Sequence, residues 1–332
     1  MKNIVMLAHD PGGYDVIMPL YRMIQNSPEW NIRLLLVGPA GERDPAFKRR
    51  AEEVIPFLHN FRECFGQFIL VTGTSWGDDT ELNAIRYCKN NKITTIAILD
   101  YWTNYRMRFI GSDGRTELPD HYFVMDEMAM QEAVKDGIDK AIISVVGHPA
   151  LDNYIMGKNK NCSHKCNVLF ASQPLESIYG LSLGYTETMV MMDLVEICHE
   201  LDLSLGVKFH PKDTDAYKKR FFKFNMEGDL DDLMYECDIL IGMNTMGMLH
   251  SVLRHIKTVS YQPNRIGKEM CITNILGLTR CVSSKEKLKQ VLNESISRPF
   301  QDIESMGPLI WMDGRSRERC IERISDIYSR IM

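Results

Sequence analysis

The sequence predicts an α/β fold made of two doubly wound parallel sheets. Short β-rich runs alternate with amphipathic helical patterns in both halves of the chain, as parallel strands joined by helices require. The polar stretch 156–166 lacks periodicity and is predicted to be a linker. With 332 residues, the chain is long enough for two domains of ordinary size. We expect a first domain over 1–155, a second over 167–312 and a closing helix over 313–332.

The composition is that of a globular protein, with 45% hydrophobic and 25% charged residues. A formal net charge of −5 argues against general binding of nucleic acid. The first apolar run ends at His9 and Asp10, which is too short for a signal peptide, and no run approaches the roughly 20 residues that span a bilayer. Nine cysteines, mostly in apolar segments, indicate reduced thiols. We therefore expect a cytoplasmic protein without a transmembrane segment.

The first half contains six short β-rich runs that predict buried strands. Helical patterns lie between most of them, notably over 79–88 and 127–136. Ligands of doubly wound sheets bind beyond the carboxyl ends of the strands, so the residues after each run are the site candidates. The predicted strands are Met1 to Leu7, Ile32 to Val37, Phe68 to Val71, Ile93 to Leu99, Tyr122 to Met125 and Ile142 to Val146.

The turn after the first strand reads AHDPGG and contains His9, Asp10, Gly12 and Gly13. The two glycines would let the backbone approach a ligand closely, or they form a plain strand-to-helix turn. The G-x-G-x-x-G spacing of a dinucleotide site is absent. Asp10 can serve as a proton acceptor, and His9 can assist either Asp10 or Asp100.

A second acidic candidate, Asp100, follows the fourth strand. It is either a general base that takes a proton from an acceptor hydroxyl or a structural carboxylate paired with Arg106 or Arg108. The two arginines can instead line the cleft and bind an anionic group through their planar fork. Trp102 and Tyr105 can stack on a sugar or pack a domain interface.

The second half is organised around the segment 236–263. An apolar run ending at Gly242 predicts a strand, apolar residues then recur at helical spacing, and a further strand follows over Lys257 to Tyr261. A polar turn that begins a helix presents free N–H groups and about half a positive charge, which suits a phosphate. The alternative is that Asn244 or Thr245 is simply an N-cap. The turn consists of Asn244, Thr245, Met246 and Gly247.

Two more predicted strands of the second half are followed by polar residues, which should lie at the same edge of the sheet as the 244–247 turn. The strand Val168 to Ala171 is followed by Ser172 and Gln173, and the strand Leu205 to Phe209 by His210, Pro211 and Lys212. A helix is predicted between these strands, over Thr186 to Leu201. Together with the 244–247 turn, these residues predict a binding site for a nucleotide monophosphate or diphosphate.

We predict no bound metal and no cofactor. The acidic residues near 229–232 precede a helix and suit its dipole, so they do not form a D-x-D metal motif at a strand end. The alternate spacing of Cys162, His164 and Cys166 suits no common structural zinc site. The basic and aromatic run 217–224 predicts a helix end that continues into a strand, with peripheral contact to a membrane or an anionic acceptor as the alternative.

Three segments resemble enzymes of the GT-B superfamily, in which two Rossmann-like domains face each other across a cleft. KFHPKD, with His210, resembles the His-Pro motif of bacterial sialyltransferases and capsule-type Kdo transferases, whose histidine meets the phosphate of a CMP-sugar. The segment 242–261 is similar to one that follows the fifth strand of the second domain in many such enzymes. The terminal DGRSRERCIERI resembles the closing turn and helix of non-hydrolysing UDP-N-acetylglucosamine 2-epimerases. Asp100 lies where sialyltransferases carry their acidic motif, although Tyr101 and Trp102 replace its following residues.

The resemblance implies a metal-independent glycosyltransferase of polysaccharide biosynthesis. The donor would be a nucleotide-activated sugar, with a CMP-linked nonulosonate as the example, and the acceptor a glycan or glycoconjugate. Asp100 would be the base, Asp10 the second choice, and His210 would meet the phosphate. An epimerase or hydrolase of the same fold is the alternative, although the acidic and arginine motifs of the epimerases are not found before Gly242. A nucleotide-sugar-binding protein without catalysis is the other alternative.

Overall fold

The computed structural model describes residues 1–155, 164–297 and 309–331, with the backbone alone for 295–297. The chain divides into two compact units, one formed by Met1–Met156 with Leu309–Met332 and the other by Gly157–Pro308. Most of the predicted linker, including Cys162, lies outside the described residues. Both units are α/β and each contains one parallel sheet.

The first unit contains a six-stranded sheet in the order β2-β1-β3-β4-β5-β6, with every pairing parallel. Its inner strands are almost wholly apolar because helices cover both faces of a parallel sheet. In β1, all residues from Ile4 onward are fully buried. The strands are β1 Lys2–Ala8, β2 Trp30–Leu36, β3 Ile69–Thr72, β4 Thr94–Ile98, β5 His121–Val124 and β6 Ile143–Val145.

Helices connect these strands and bury one face each. In the first helix, the predicted positions Val16, Ile17, Leu20 and Ile24 are all buried against the sheet. The long helix between β2 and β3 is not among the elements predicted from the sequence. The helices are α1 Pro11–Ile24, α2 Gly38–Arg43, α3 Ala51–Phe65, α4 Thr80–Asn90, α5 Glu127–Lys135 and α6 Asp152–Ile155.

The second unit contains a five-stranded parallel sheet in the order β11-β10-β9-β7-β8. The predicted strand–turn–helix–strand unit around residues 236–263 is present, and its last strand has the predicted bounds. The edge strand β11 was not predicted because it has only three residues, of which Arg280 and Cys281 are exposed. The strands are β7 Cys166–Ala171, β8 Leu205–Lys208, β9 Cys237–Gly242, β10 Lys257–Tyr261 and β11 Arg280–Val282.

The helices of the second unit surround a separate hydrophobic core. The basic run 217–224 does not continue into a strand as predicted. Tyr217 and Phe221 are needed in the core, so the segment stays helical and ends in a 3-10 turn at Phe222–Phe224. The helices are α7 Leu175–Tyr179, α8 Glu187–Glu200, α9 Asp215–Phe221, α10 Leu230–Leu233, α11 Met246–Leu253, α12 Ile272–Ile275 and α13 Lys285–Ser297.

The last described segment belongs to the first unit. Helix α14, Ser316–Ile331, buries Cys320, Ile324 and Ile327 in the core beneath β1 and β2. Trp311, which the sequence analysis assigned to the second domain, is fully buried in the first unit. In the parts of the chain that the structure describes, every helix is too short or too polar to cross a membrane.

Candidate functional site

In the first unit, β2 lies on one side of β1 and β3 lies on the other, so the strand order reverses between β1 and β3. Ligands of doubly wound sheets bind at such a topological switch point. The segments that follow the two strands touch here. A methyl group on Gly73 would lie 2.6 Å from the Gly13 Cα, so there is no room for a side chain at Gly73. Gly13 therefore permits a close approach, but its neighbour in this structure is the chain itself.

A buried carboxylate bridges the same two segments. Glu81, in the first turn of α4, is only 3% exposed. Its oxygens accept the backbone N–H of His9 at 3.2 Å and the backbone N–H of Ser75 at 2.5 Å. Burial raises the pKa of Glu81 to about 7, even though the two hydrogen bonds favour the ionised form. Glu81 is not among the site residues predicted from the sequence.

His9 and Asp10 form a hydrogen-bonded pair beyond the end of β1. The His9 Nδ1 lies 2.7 Å from the Asp10 Oδ1, and the other oxygen of Asp10 accepts the Trp76 backbone N–H at 3.2 Å. The hydrogen bond to Asp10 raises the pKa of His9 above its ordinary value, against the effect of burial. Burial raises the pKa of Asp10, but the bonds from His9 and Trp76 outweigh it and lower the pKa overall.

Asp100 is held by an arginine at the carboxyl end of β4. Its Oδ1 lies 2.6 Å from the Arg108 Nη1, and these side chains are only 15% and 7% exposed. The guanidinium also donates to the Thr74 carbonyl at 2.5 Å. The Asp100 Oδ2 points at the first turn of α1, where a methyl on Gly12 would lie 1.7 Å from it. One oxygen is thus fixed by the predicted ion pair, and the other is directed at Gly12.

The contacts of three residues in the loop after β4 bear on the alternatives that the sequence left open. Arg106 lies against Gly137 and makes no described contact with Asp100. Trp102 and Tyr105 are 5% and 6% exposed, so neither offers a face to a sugar. Trp102 instead donates to Asp126 at 2.7 Å, and the Trp311 indole donates to the same oxygen at 3.0 Å.

In the second unit the strand order reverses between β7 and β9. The Gln173 side-chain oxygen accepts the Asn244 backbone N–H at 3.0 Å and so joins the two strand ends. Thr245 is the N-cap of α11, because its hydroxyl accepts the Gly247 N–H at 3.2 Å. The N-cap alternative is therefore correct for Thr245. The helix N-terminus, with Met246 as its first residue, nevertheless stands at the switch point, where a phosphate site was predicted.

His210 lies in a tight turn after β8, the neighbour of β7. Its Nδ1 accepts the Lys212 backbone N–H at 3.1 Å, so the ring proton of the neutral imidazole is on Nε2. Buried Asp213 holds the turn by accepting the His210 N–H at 2.8 Å. Burial raises the pKa of Asp213. Ser172, at the end of β7, is buried and bonds to the Tyr217 hydroxyl at 3.4 Å, so it is partly used within the core.

A polar network that the sequence analysis missed lies beyond β10. The Gln262 amide nitrogen donates to the Met243 carbonyl at 2.8 Å and to Glu269 at 3.0 Å. Glu269 also accepts from Cys271 N–H and from the Asn274 amide. Burial raises the pKa of Glu269, but these hydrogen bonds and nearby Arg265 lower it overall. The local sequence shows only a polar loop here, and no periodic signal marks these residues as a network.

Each unit thus gathers part of the predicted site. No group of three His, Cys, Asp or Glu side chains within 1–155, 164–297 or 309–331 is placed to hold a metal ion. The first unit brings together His9, Asp10, Gly12, Gly13, Asp100 and Arg108 and leaves Arg106 apart. The second unit places Gln173, Asn244, Thr245, Met246 and Gly247 at its switch point, with Ser172, His210 and Lys212 at the ends of β7 and β8.

No protein-family model and no curated protein matches this sequence. Solved structures do match it along nearly the whole chain. The UDP-GlcNAc 2-epimerase of Methanocaldococcus jannaschii has a TM-score of 0.70 at 12% identity, covering 97% of this chain and 99% of that one. The Neisseria meningitidis enzyme of the same name has a TM-score of 0.70 at 10% identity, covering 98% and 100%.

A lipopolysaccharide outer core galactosyltransferase is also similar, with a TM-score of 0.55 at 9% identity, covering 97% of this chain and 99% of that chain. Identities this low show a common fold and do not transfer an activity. The expected fold class is confirmed: the chain has a two-domain, Rossmann-like fold of the GT-B type.

Proposed function

We propose that this protein is a metal-independent glycosyltransferase that uses a nucleotide-activated sugar. The observation that carries the proposal is the opposite chemistry of the two switch points. The first unit presents carboxylates and an imidazole at its strand ends, and the second presents a helix N-terminus and a proton-donating histidine. Transfer of a sugar needs both a base for the acceptor hydroxyl and a way to stabilise the departing phosphate.

The second unit is the nucleotide-binding side in this proposal. The backbone N–H groups at the start of α11 and the Lys212 ammonium would neutralise the phosphate charge. The Nε2–H of His210 would donate to a phosphate oxygen, because its Nδ1 is already used by the turn. These groups stabilise a leaving phosphate without requiring a metal ion.

The first unit supplies the base. Arg108 fixes the Asp100 Oδ1, and no hydrogen bond among the described residues uses Oδ2, so this oxygen can receive the proton of the acceptor hydroxyl. The His9–Asp10 pair is the second choice, because both oxygens of Asp10 already accept hydrogen bonds. The acceptor would be a glycan or glycoconjugate.

The donor nucleotide follows from two different lines of reasoning. The His-Pro turn at His210 favours CMP and a linked nonulosonate, since it resembles the phosphate-binding motif of sialyltransferases and Kdo transferases. The structural neighbours favour UDP, because one epimerase was solved with UDP-GlcNAc and UDP, and Staphylococcus aureus MnaA with UDP. CMP and UDP are therefore the first two ligands to test.

A nucleotide-sugar epimerase or hydrolase is the second candidate. It is favoured by the higher TM-scores of the UDP-GlcNAc 2-epimerases compared with the galactosyltransferase. The two reactions differ in whether an acceptor is needed. An epimerase acting at C2 would exchange the C2 proton of UDP-GlcNAc in D₂O without any acceptor, whereas a glycosyltransferase would leave this proton in place.

The test begins with thermal unfolding in the presence of CMP, CDP, UDP, GDP and dTDP. A ligand that binds only the native state raises the melting temperature by mass action. We expect a selective increase with CMP or UDP, after which proton NMR of the corresponding nucleotide sugar in D₂O separates epimerisation from transfer. Unchanged melting with all five nucleotides at millimolar concentration would contradict both candidates.

A further inference from the structure

The first unit contains a buried acidic group for which the proposed reaction has no direct use. Glu81 has little access to solvent, and it connects the segments that follow β1 and β3. We infer that Glu81 is a positioning residue. Its carboxylate fixes the His9–Asp10 segment against the Ser75–Trp76 segment and thereby sets the geometry at the carboxyl ends of β1 and β3.

The two hydrogen bonds make this connection specific. Both acceptors belong to one carboxylate, and both donors are backbone N–H groups on segments far apart in sequence. Charged acceptors form the stronger class of hydrogen bond, so moving either segment would leave a buried charge undercompensated. The segments are therefore coupled through Glu81 rather than through their own side chains alone.

The Glu81 carboxylate is packed tightly against Gly13 and Gly73. A methyl on Gly73 would lie 2.9 Å from the Glu81 Oε1 and 2.6 Å from the Gly13 Cα. A methyl on Gly13 would lie 3.4 Å from the same oxygen. Two glycines thus form the space that the carboxylate fills, and a larger residue at Gly73 would displace it.

A second link runs between the same segments at the surface. The Asp10 carboxylate accepts the Trp76 N–H at 3.2 Å, and the Trp76 side chain is 62% exposed. Trp76 thus offers the accessible aromatic face that Trp102 does not. Glu81 lies beneath this link and holds the residue next to each partner, namely His9 and Ser75.

The charges around Glu81 come from several elements. Asp10, after β1, raises the pKa of the Glu81 carboxyl further, and the His9 ring lies beside Asp10 and Asp78. The Asp100–Arg108 ion pair reaches the Thr74 carbonyl one residue before Ser75. Protonation of Glu81 would replace the charged acceptor of the His9 and Ser75 N–H groups with a weaker, neutral one.

The experiment is solution NMR on the full chain, with labelled backbone amides and labelled glutamate carboxyl carbons. In the wild-type protein we expect the Ser75 amide and the Glu81 carboxyl carbon to titrate with one midpoint near pH 7. In Glu81→Gln we expect the His9 and Ser75 amide protons to move upfield together, because both lose a charged acceptor. Amide shifts that stay constant through the Glu81 titration would overturn the inference.

Glu187→Gln is the matched control. Glu187 is also buried in the first turn of its helix, but it accepts the Glu176 N–H in the second unit. This variant should leave the His9 and Ser75 resonances unchanged; equal shifts in both variants would contradict a specific role for Glu81. If Glu81→Gln does not fold, the wild-type titration alone still decides the question.

The importance of this positioning for catalysis rests on the proposed function. Once a donor is known, Glu81→Gln should lower kcat at least tenfold and leave the dissociation constant of the nucleotide unchanged, because the nucleotide is assigned to the second unit. A loss of nucleotide affinity as large as the loss in kcat would contradict this role. If no nucleotide binds at all, the proposed function fails, while the NMR result still tests the role of Glu81 independently.

Discussion

The two sheets of this protein have switch points of the same kind but of opposite chemical character. In the first unit, the gap between β1 and β3 is bridged by the carboxylate of Glu81, and Asp10 and Asp100 stand nearby. In the second, the gap between β7 and β9 is bridged by the neutral amide of Gln173, beside the N-terminus of α11. One topology thus carries carboxylates at the switch point of one unit and a helix N-terminus at that of the other.

The difference shows how little of the chemistry depends on the fold itself. Helix α1, which follows β1, and helix α11, which follows β9, could each bind a phosphate at its N-terminus. In the first unit, Asp100 directs a carboxylate at that position on α1, which disfavours an anion there. We therefore assign proton transfer to the first unit and phosphate binding to the second, and the following predictions test that division.

The largest effect is expected for Asp100→Asn. If Asp100 is the base, turnover should fall by about 10²–10⁴-fold, the usual contribution of a general base. The nucleotide dissociation constant should stay the same, because the nucleotide binds to the other unit. Steady-state kinetics and isothermal titration calorimetry would measure both quantities, with Asp136→Asn as an exposed control. Unchanged turnover would remove Asp100 from this role.

The second prediction concerns the pH dependence of stability. The pKa of Glu81 is about 7 in the folded chain and 4.5 for an ordinary glutamate. The protonated carboxyl therefore stabilises the folded state below pH 4.5, and this contribution to the free energy of unfolding is lost as the pH rises through 7. The loss amounts to about 3 kcal/mol. Relative to Glu81→Gln, the wild type should therefore lose about this much between pH 4.5 and 8 in urea unfolding.

The exposed variant Glu63→Gln is the control for this measurement, since it should follow the wild type at every pH. A difference between wild type and Glu81→Gln that does not change with pH would show that Glu81 titrates at an ordinary value.

The third prediction concerns the phosphate side. His210→Ala should weaken nucleotide binding by about 10–100-fold, the equivalent of one hydrogen bond to a charged group. The exposed His199→Ala, at the far end of α8, should bind the nucleotide as the wild type does. Calorimetric titration with the best nucleotide would measure this, and full affinity in His210→Ala would refute the assignment of the phosphate to this turn.

The fourth prediction tests the approach of Asp100 to α1. Gly12→Ala would place a methyl 1.7 Å from the Asp100 Oδ2, so either the carboxylate or the helix must move. We expect a loss of about 1–3 kcal/mol in unfolding free energy, as for overpacked cores. Gly13→Ala, where the nearest atom is 3.4 Å away, should cost less. Equal stabilities of the two variants would argue against this contact.

The smallest effect is expected at the cap of α11. Thr245→Ala removes the acceptor of the Gly247 N–H and should cost about 1 kcal/mol of unfolding free energy. Thr245→Ser keeps the hydroxyl and should retain most of that stability. If binding also requires the capped helix, nucleotide affinity should follow the same order; a change in affinity without a change in stability would indicate that the hydroxyl contacts the ligand directly.

Much of the fold could be predicted from the sequence, because buried parallel strands and amphipathic helices have different periods. The rule that ligands lie beyond the carboxyl ends of strands led to His9, Asp100, His210 and Asn244, and each of them does follow a strand. Helix α3 was missed, although Val54, Leu58 and Phe61 are buried at helical spacing, because charged and polar residues separate them and Pro56 interrupts the segment.

The site could be predicted less well, since burial depends on distant partners. Glu81 belongs to an acidic run at a helix start, a pattern typical of exposed residues that suit the dipole. It is buried because Gly13 and Gly73 meet above it. The local sequence likewise does not distinguish Trp102 from Trp76. Trp102 is covered by residues distant in sequence, since it stacks on His148 and packs edge-on against Trp311.

The return of the C-terminal segment with Trp311 and α14 to the first unit also affects the order in which the chain can fold. The core of the first unit needs α14, whose N-terminus is held by buried Asp152 through the Ser316 and Arg317 N–H groups. Because a ribosome makes the chain from its N-terminus, all of the second unit is synthesised before the first unit is complete. A fragment ending near residue 155 would therefore expose the apolar surface that α14 covers, and we expect it to aggregate, whereas residues 157–308 contain every strand of their own sheet.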